Sequence, residues 1–353
     1  MDQRPDDAPN EDAPESEGDP GPHKAEPGFI RRHKVGVVLG TLGVFVLALL
    51  VGAGVWLIVL NDKIDEIPRI EVDTDRPDRP PRTQPKDALN VLLVGVDGRG
   101  TDVQERLEAG DTGLLSDTMM IWHLEKNHEN SQVVSFPRDS WVDVPGYGEA
   151  KLNAAFSWGG PELLIQSLED TLDLYIDHVA VVDFEGFKGI TDTLGGVDLP
   201  TSEGGTQHYD GDEALEYVRE RKSLPGGDFD RIDRQQNFLR EVLHEATSTD
   251  TRVNPVTVTN LIGDLGKLLV LDSDFTNDEI RDLGFDVVRQ GAGEVVWMTA
   301  FTDGTGTSAD GQSIVLLNVE KSKELMDAIS RDKFDDYLED NKIDRLPKPE
   351  DVN

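Results

Sequence analysis

The longest unbroken apolar segment of the chain runs from Val35 to Leu60 and contains no charged side chain. At about 1.5 Å per residue, such a helix spans a hydrocarbon core with some tilt. It is too long for the core of a signal peptide and no small-residue cleavage pattern follows it, so it reads as an uncleaved membrane anchor. Beyond it the pattern changes to that of a folded body. Ala88–Val96 is an almost continuous apolar run, which predicts a buried strand, and Thr118–Leu124, Gln132–Phe136 and Tyr175–Val182 predict three more. Leu163, Leu164 and Leu168 repeat at helical spacing behind Pro161, predicting a helix over 161–172. After Asp183 and Phe184 another helix is predicted to run to Leu194, where Gly195 and Gly196 stop it. Asp210 and Glu213 form a capping-box pattern for a helix that ends near Arg219. Phe238, Leu239, Val242 and Leu243 mark a longer one. Glu294–Met298 and Ile314–Leu317 supply late strands, with Glu320–Ile329 helical after them. Strands alternating with helices predict a single three-layer α/β/α domain.

The flanking composition sets the organisation. Residues 1–34, rich in Asp, Glu and Pro, read as a disordered acidic tail, and Arg31, Arg32 and Lys34 place that tail in the cytoplasm. The apolar helix is then residues 35–60, a single pass that sends the rest of the chain to the outside of the cell membrane. Gly36 and Gly40 form a GxxxG pair within it, although small residues are common in such helices, and Trp56 suits an interfacial anchor. Residues 61–86 carry Pro68, Pro77, Pro80, Pro81 and Pro85 among charges, the composition of a stiff extended spacer. The domain is residues 87–337, and 338–353 form an acidic C-terminal tail. Residues 246–293 carry no signal beyond completing the fold.

The net charge of −36 argues against binding bare nucleic acid, where a basic footprint is expected. The absence of cysteine removes disulfides, thiolate nucleophiles and cysteine zinc sites together. Within this acidic chain, Arg219, Arg221, Arg231 and Arg234 crowd one short stretch. Guanidinium offers paired donors that match phosphate oxygens, so the cluster suggests a phosphate or pyrophosphate clamp, the alternative being surface salt bridges. Arg231, Arg234 and Gln235 fall at i, i+3 and i+4 near a helix N-terminus, where backbone N–H groups already favour an anion. Asp97 and Arg99, Asp117, Arg138 and Asp139, and Asp183 sit at strand ends, where open α/β sheets bind ligands. Carboxylates beside arginines suggest a divalent metal bridging to a pyrophosphate. Asp183 reads instead as a turn cap. The seven histidines show no metal-binding spacing, and neither a P-loop nor a GxSxG elbow is present.

A series of motifs runs in order across residues 88–245: Asn90–Arg99 (NVLLVGVDGR), Ser116–Met120 (SDTMM), Ser135–Asp139 (SFPRD), Lys151–Phe156 (KLNAAF) with Gly159 and Gly160, Val182–Phe187 (VDFEGF), Leu194–Val197 (LGGV), Tyr217–Arg221 (YVRER) and Arg234–Gln236 (RQQ). The series resembles the LytR-CpsA-Psr family. That resemblance implies an envelope phosphotransferase moving a phosphoglycosyl unit from a polyprenyl-pyrophosphate-linked glycan donor to peptidoglycan, at a muramic acid hydroxyl. Wall teichoic acid, capsule and arabinogalactan are family substrates, and some members glycosylate surface proteins. It implies that Asp97 and Asp117 hold Mg²⁺, or Mn²⁺. It also implies that Arg99, Arg138, Arg219, Arg221, Arg231 and Arg234 surround the pyrophosphate, with Lys151 and Gln235 assisting. The chain departs from the family pattern in its extended charged loop over residues 100–115, which bears on how Asp97 and Asp117 lie relative to each other.

Phosphoryl transfer needs positioning and charge neutralisation more than a strong protein nucleophile. A proton acceptor for the sugar hydroxyl is still required, and Asp139, Asp228 or a metal-bound carboxylate are the candidates. The lipid chain needs an apolar tunnel, which residues such as Tyr175–Val182 under helices would line. Competing readings are a polyprenyl-pyrophosphate hydrolase and a non-catalytic lipid-carrier binder or envelope regulator.

Overall fold

The computed structural model describes residues 56–97, 103–111, 113–126, 130–201, 205–221, 223–252, 254–290 and 294–352. Helix α1, described over residues 56–65, leads into β1 (Arg69–Ile70), β2 (Leu89–Val96), the short α2 (Val103–Glu108), β3 (Ser116–Leu124) and β4 (Asn130–Ser135). A hairpin of β5 (Trp141–Val144) and β6 (Gly148–Lys151) precedes α3 (Leu152–Leu172), β7 (His178–Asp183) and α4 (Phe184–Leu194). A second hairpin, β8 (Val197–Pro200) and β9 (Thr206–Tyr209), precedes α5 (Gly211–Arg219), α6 (Asp228–Ala246), α7 (Thr249–Arg252) and α8 (Pro255–Leu268). Then follow β10 (Leu269–Asp272), α9 (Asn277–Gln290), β11 (Glu294–Thr299), a hairpin of β12 (Thr302–Thr307) and β13 (Ser313–Leu317), α10 (Val319–Ser330) and α11 (Phe334–Asp340).

The central sheet is mixed, in the order β1-β10-β7-β2-β3-β4-β11. The runs predicted as strands are nearly all apolar because the sheet is covered on both faces. Leu92, Val94, Ile121, Val134, Val179 and Val181 point to one side, where they pack with Leu164 and Leu168 of α3 and Leu325 and Ile329 of α10. Val91, Leu93, Trp122, Ala180 and Leu271 point to the other, against Ile64, Ile262 and Ile280 of α1, α8 and α9. Met120, Val133 and Trp297 meet Leu239 and Leu243 of α6 on that same side. This is the predicted three-layer arrangement. Three elements differ from expectation: β1, within the stretch expected to be a spacer, is the edge strand of the main sheet. β10, inside the stretch without a sequence signal, is a member of the main sheet, and β13 belongs to a separate hairpin rather than to it.

Residues 61–86, expected to be an extended spacer, instead lie along the domain. Glu169 of α3 is completely buried, and Arg79 reaches it with Nε at 3.0 Å and Nη2 at 2.9 Å, while Arg76 Nη2 lies 3.2 Å away. Arg82 Nε donates to Asp177 at 2.8 Å. The arginines satisfy carboxylates that burial would otherwise penalise heavily, so this segment is held rather than free. The C-terminal tail is likewise laid against the body. The Leu346 N–H donates to the Trp297 carbonyl at 2.9 Å, and Arg240 Nη1 donates to the Pro347 carbonyl at 2.9 Å.

The apolar segment expected to cross the membrane lies outside the described residues except for 56–60, as do the acidic N-terminal tail and the Gly36–Gly40 pair. Among the described residues, no helix is long and apolar enough to cross a membrane. Trp56, expected as an interfacial anchor, donates its indole N–H to Thr259 Oγ1 of α8 at 3.0 Å.

Candidate active site

The loop after β4 carries Arg138 and Asp139, and two elements clamp its backbone. The Leu152 and Asn153 N–H groups, which open α3, donate to the Ser140 and Arg138 carbonyls at 2.8 and 3.1 Å. Those are groups that a helix start leaves without an intrahelical partner, so the helix and the loop satisfy each other. The Val315 N–H from β13 donates to the Asp139 carbonyl at 2.9 Å. The separate hairpin therefore buttresses the loop.

The register of β2 and β3 pairs Val96 with Ser116, with an irregularity beside Gly95. Asp97 and Asp117 consequently emerge at the same end of adjacent strands, and the extended loop between them does not part them. Each is engaged by an arginine. Asp117 accepts from Arg138 Nη1, and Arg219 Nη2 lies 3.3 Å from Asp97 Oδ1. Asp228, the first residue of α6, is the hub of the rest: its Oδ1 is 2.8 Å from Arg231 Nη2, 3.7 Å from Arg138 Nε and 3.9 Å from Arg221 Nη1. Lys151 Nζ pairs with Asp139 Oδ1 at 2.9 Å. Burial works against the charge of Arg138, yet Asp117, Asp228 and Asp139 together hold its pKa above the ordinary value. At Arg231 burial prevails over Asp228, with Arg138 repelling it, and the pKa is lowered.

Arg138, Arg219, Glu220, Arg221 and Arg231 line an open cleft of about 380 Å³. The capping box is present as predicted, with the Glu213 N–H donating to Asp210 Oδ1 at 2.9 Å, and it brings α5 to its end at Arg219. Two expected residues turn elsewhere. The Arg234 guanidinium lies 4.7 Å from the centre of the Tyr217 ring, away from the cleft lining. Gln235 is buried, with Nε2 donating to the Val218 carbonyl at 3.4 Å. Position on the helix explains this: Arg231 faces the cleft, Gln235 one turn on faces the sheet, and Arg234 is rotated toward α5. Arg99 lies outside the described residues. Asp183 stands at the N-cap of α4, where its side chain makes no capping hydrogen bond.

The sequence does not single out Glu220, which joins the cleft wall, or the role of Gln236. Gln236 is fully buried and its Nε2 donates to Ser135 Oγ at 2.7 Å and to the Met298 carbonyl at 2.8 Å, pinning α6 to β4 and β11. A glutamine next to Gln235 in an otherwise amphipathic helix is the only trace of it. Behind the cleft, Leu93, Met120, Val182, Val218 and Leu239 enclose an apolar cavity of about 90 Å³ between sheet and α6. Leu93 also borders a larger one of about 360 Å³ lined by Trp122, Ala180, Ile262 and Phe275.

This arrangement gathers arginines around an open cleft and rests them against aspartates, a chemistry suited to anions. The match of residues 61–331 to the LytR_cpsA_psr family decides what kind of protein carries it. The chain belongs to the LytR_cpsA_psr family. It is 34% identical over 255 residues to the probable cell wall biosynthesis protein LcpB of Corynebacterium glutamicum, a match covering 67% of this chain and 58% of that protein. It is 32% identical to the polyisoprenyl-teichoic acid–peptidoglycan teichoic acid transferase TagU of Oceanobacillus iheyensis, over 62% of this chain and 72% of that one. The fold is similar to that of the LytR-Csp2A-Psr enzyme from Actinomyces oris, with a TM-score of 0.58 at 20% identity, covering 75% of this chain and 96% of that one. Arg138, Arg219, Arg221 and Arg231, four of the residues expected around a pyrophosphate, thus share one cleft wall.

Proposed function

We propose that this LytR_cpsA_psr protein transfers a phosphoglycosyl unit from a polyprenyl-pyrophosphate-linked glycan to peptidoglycan, releasing polyprenyl phosphate. The observation that carries the proposal is the convergence of Arg138, Arg219, Arg221 and Arg231 on one open cleft, with a small apolar cavity next to it between the sheet and α6. The arginines suit the pyrophosphate, and the apolar cavity under α6, with the larger one that Leu93 borders beneath α1, α8 and α9, suits the lipid. TagU, which the chain resembles, is named for the same class of transfer. The apolar run over 35–60 would anchor the chain in the cell membrane with the domain outside, beside both substrates.

The chemistry follows from the charges. Arg138, Arg219, Arg221 and Arg231 surround the pyrophosphate oxygens and stabilise the charge that gathers on the departing polyprenyl phosphate. The acceptor hydroxyl forms a new P–O bond at the sugar-linked phosphorus while the bridging P–O bond to the second phosphate breaks. Asp139, paired with Lys151, takes the hydroxyl proton, because the charge of Asp228 is committed to three guanidinium groups. Asp97 and Asp117 offer hard oxygen donors side by side, a set that fits Mg²⁺ or Mn²⁺. Bound there, a divalent cation would neutralise phosphate charge and draw both carboxylates from the arginines they now occupy.

The test is product analysis. Purified protein, a polyprenyl-pyrophosphate glycan and peptidoglycan should yield a glycan-phosphate adduct on the acceptor and polyprenyl phosphate. Free glycan phosphate formed equally with and without acceptor would make the protein a hydrolase instead.

A further inference from the structure

A cavity of about 800 Å³ lies apart from the arginine cleft, between β1, α2 and the first half of α3. A neighbouring one of about 310 Å³ shares Gly159 and Glu162 with it. At their junction Trp158 and Tyr147 stack, with ring centres 4.7 Å apart and planes 25° from parallel, although the two residues are 40% and 59% exposed. Two large aromatic side chains paired on the surface outside the apolar core form a flat platform that the fold does not need for its own burial.

The backbone is shaped to hold that platform. Gly159 and Gly160 leave helical geometry inside α3, and Pro161 restarts it. Gly160 has φ +63°, and a Cβ on Gly159 would lie 2.6 Å from the Leu163 Cβ, so the kink depends on this glycine pair. Trp158 is the last residue before the kink, and Tyr147 sits at the tip of the β5–β6 hairpin that ends in Lys151. Both therefore stand on rigid elements that also carry the catalytic end. Trp158 is seven residues along α3 from Lys151, roughly 10 Å of helix.

The remaining walls are polar and mainly acidic, with Glu71, Glu108, Asp111 and Glu162 lining the larger cavity beside Arg69, and with Asp111 paired to Arg106 at 2.7 Å. Carboxylates accept hydrogen bonds from hydroxyl groups, and an aromatic face accepts the apolar C–H face of a pyranose ring. Glu71, Glu108 and Glu162 leave an excess of negative charge that disfavours a phosphate-rich chain. Asp111 belongs to the extended loop that sets this chain apart between Asp97 and Asp117, and Ser157 Oγ ties that loop to α3 through the Leu114 carbonyl at 2.9 Å.

We propose that the Trp158–Tyr147 stack and the acidic cavity beside it form a subsite for the uncharged pyranose backbone of the acceptor glycan, leading it toward Lys151 and the arginine cleft. This rests on the transferase reading for the identity of the acceptor, while saccharide binding itself does not. The experiment uses the detergent-solubilised full chain and two probes measured by calorimetry: an N-acetylglucosamine tetramer and a glycerol-phosphate oligomer. The tetramer should bind and the phosphate oligomer should not. Trp158→Ala and Tyr147→Ala should each weaken tetramer binding at least tenfold, Trp158→Phe should keep most of it, and all three should retain the native circular dichroism spectrum. In transfer assays Trp158→Ala should raise KM for acceptor about tenfold while leaving kcat and donor KM unchanged. Tetramer binding that is absent, or that survives both alanine substitutions, overturns the subsite. A Trp158→Ala effect on donor KM alone overturns its assignment to the acceptor. Unchanged transfer by Trp158→Ala would remove the subsite and leave the transferase reading standing, whereas loss of transfer from the native protein with tetramer binding intact would do the reverse.

Discussion

Arg219 Nη2 lies 3.3 Å from Asp97 Oδ1, so a guanidinium suited to phosphate and a carboxylate suited to a cation hold each other at rest. Arg138 and Asp117 repeat the relationship across the cleft mouth. The site is thus close to electrically balanced before any substrate arrives, and binding must exchange these partners rather than fill a field of unpaired charge.

That exchange predicts a divalent cation requirement. Transfer should be abolished by EDTA and restored by Mg²⁺ or Mn²⁺. Asp117→Asn should raise the Mg²⁺ concentration for half-maximal rate about tenfold, the cost of roughly one charged ligand contact at 1.4 kcal/mol per decade. Metal titration of the native and variant rates checks this, and an unaltered titration would remove Asp117 from the ligand set.

Asp228 balances Arg138, Arg221 and Arg231, and it is the charge rather than the shape that matters. Asp228→Asn should lower folding stability by on the order of 3 kcal/mol, because Arg231 is buried and loses its counter-ion. The same variant should bind inorganic pyrophosphate more tightly than the native chain, since the anion then supplies the missing charge. Thermal melting with and without pyrophosphate reads both effects.

The arginines of residues 61–86 make a separate stability claim. Arg79→Ala strips the main partner from the fully buried Glu169 and should cost about 3 kcal/mol, near the low end for breaking a buried pair because Arg76 stays. Chemical denaturation measures it, and kcat per folded molecule should not change.

Strands β2, β3, β4 and β7 were legible because burial on both faces leaves nearly unbroken apolar runs, and the Asp210–Glu213 cap because it is local. The start of α3 was not. Pro161 marks only its second half, and the first half is fixed by carbonyls of Arg138 and Ser140 that are distant from the helix's apolar repeat. β1 and β10 are too short to show a period and are defined by pairing with one another and, through β10, with β7. The arginine cluster pointed to the cleft, yet spacing alone did not distinguish Arg231, which faces it, from Arg234, which stacks over Tyr217. Nor does anything in the local sequence bring Tyr147 to Trp158.

Asp233 on α6 supplies a pH signature. Burial, with Asp344 and Asp230 adding repulsion, raises its pKa from 3.8 to about 6. Below pH 3.8 it is protonated whether folded or unfolded and imposes no penalty. As pH rises from 3.8 through about 6 the unfolded chain ionises first, and stability is lost. Asp233→Asn should therefore be more stable than the native chain at pH 7.5, with the gap closing toward pH 4. Parallel melting curves across that range test the sign.

On the transferase reading, the fork geometry of the cleft arginines, and not their charge alone, should carry phosphoryl transfer. Lysine keeps the charge of Arg138 but cannot reach Asp117 and a phosphate oxygen with separate fixed donors, so a charge-assisted hydrogen bond worth about 1.5–3 kcal/mol is lost. The most direct measurement is the single-turnover rate of glycan phosphate transfer to peptidoglycan by native and Arg138→Lys protein at saturating donor. The account predicts a rate at least about tenfold lower for Arg138→Lys with donor affinity little changed. An equal rate from a correctly folded variant would contradict it.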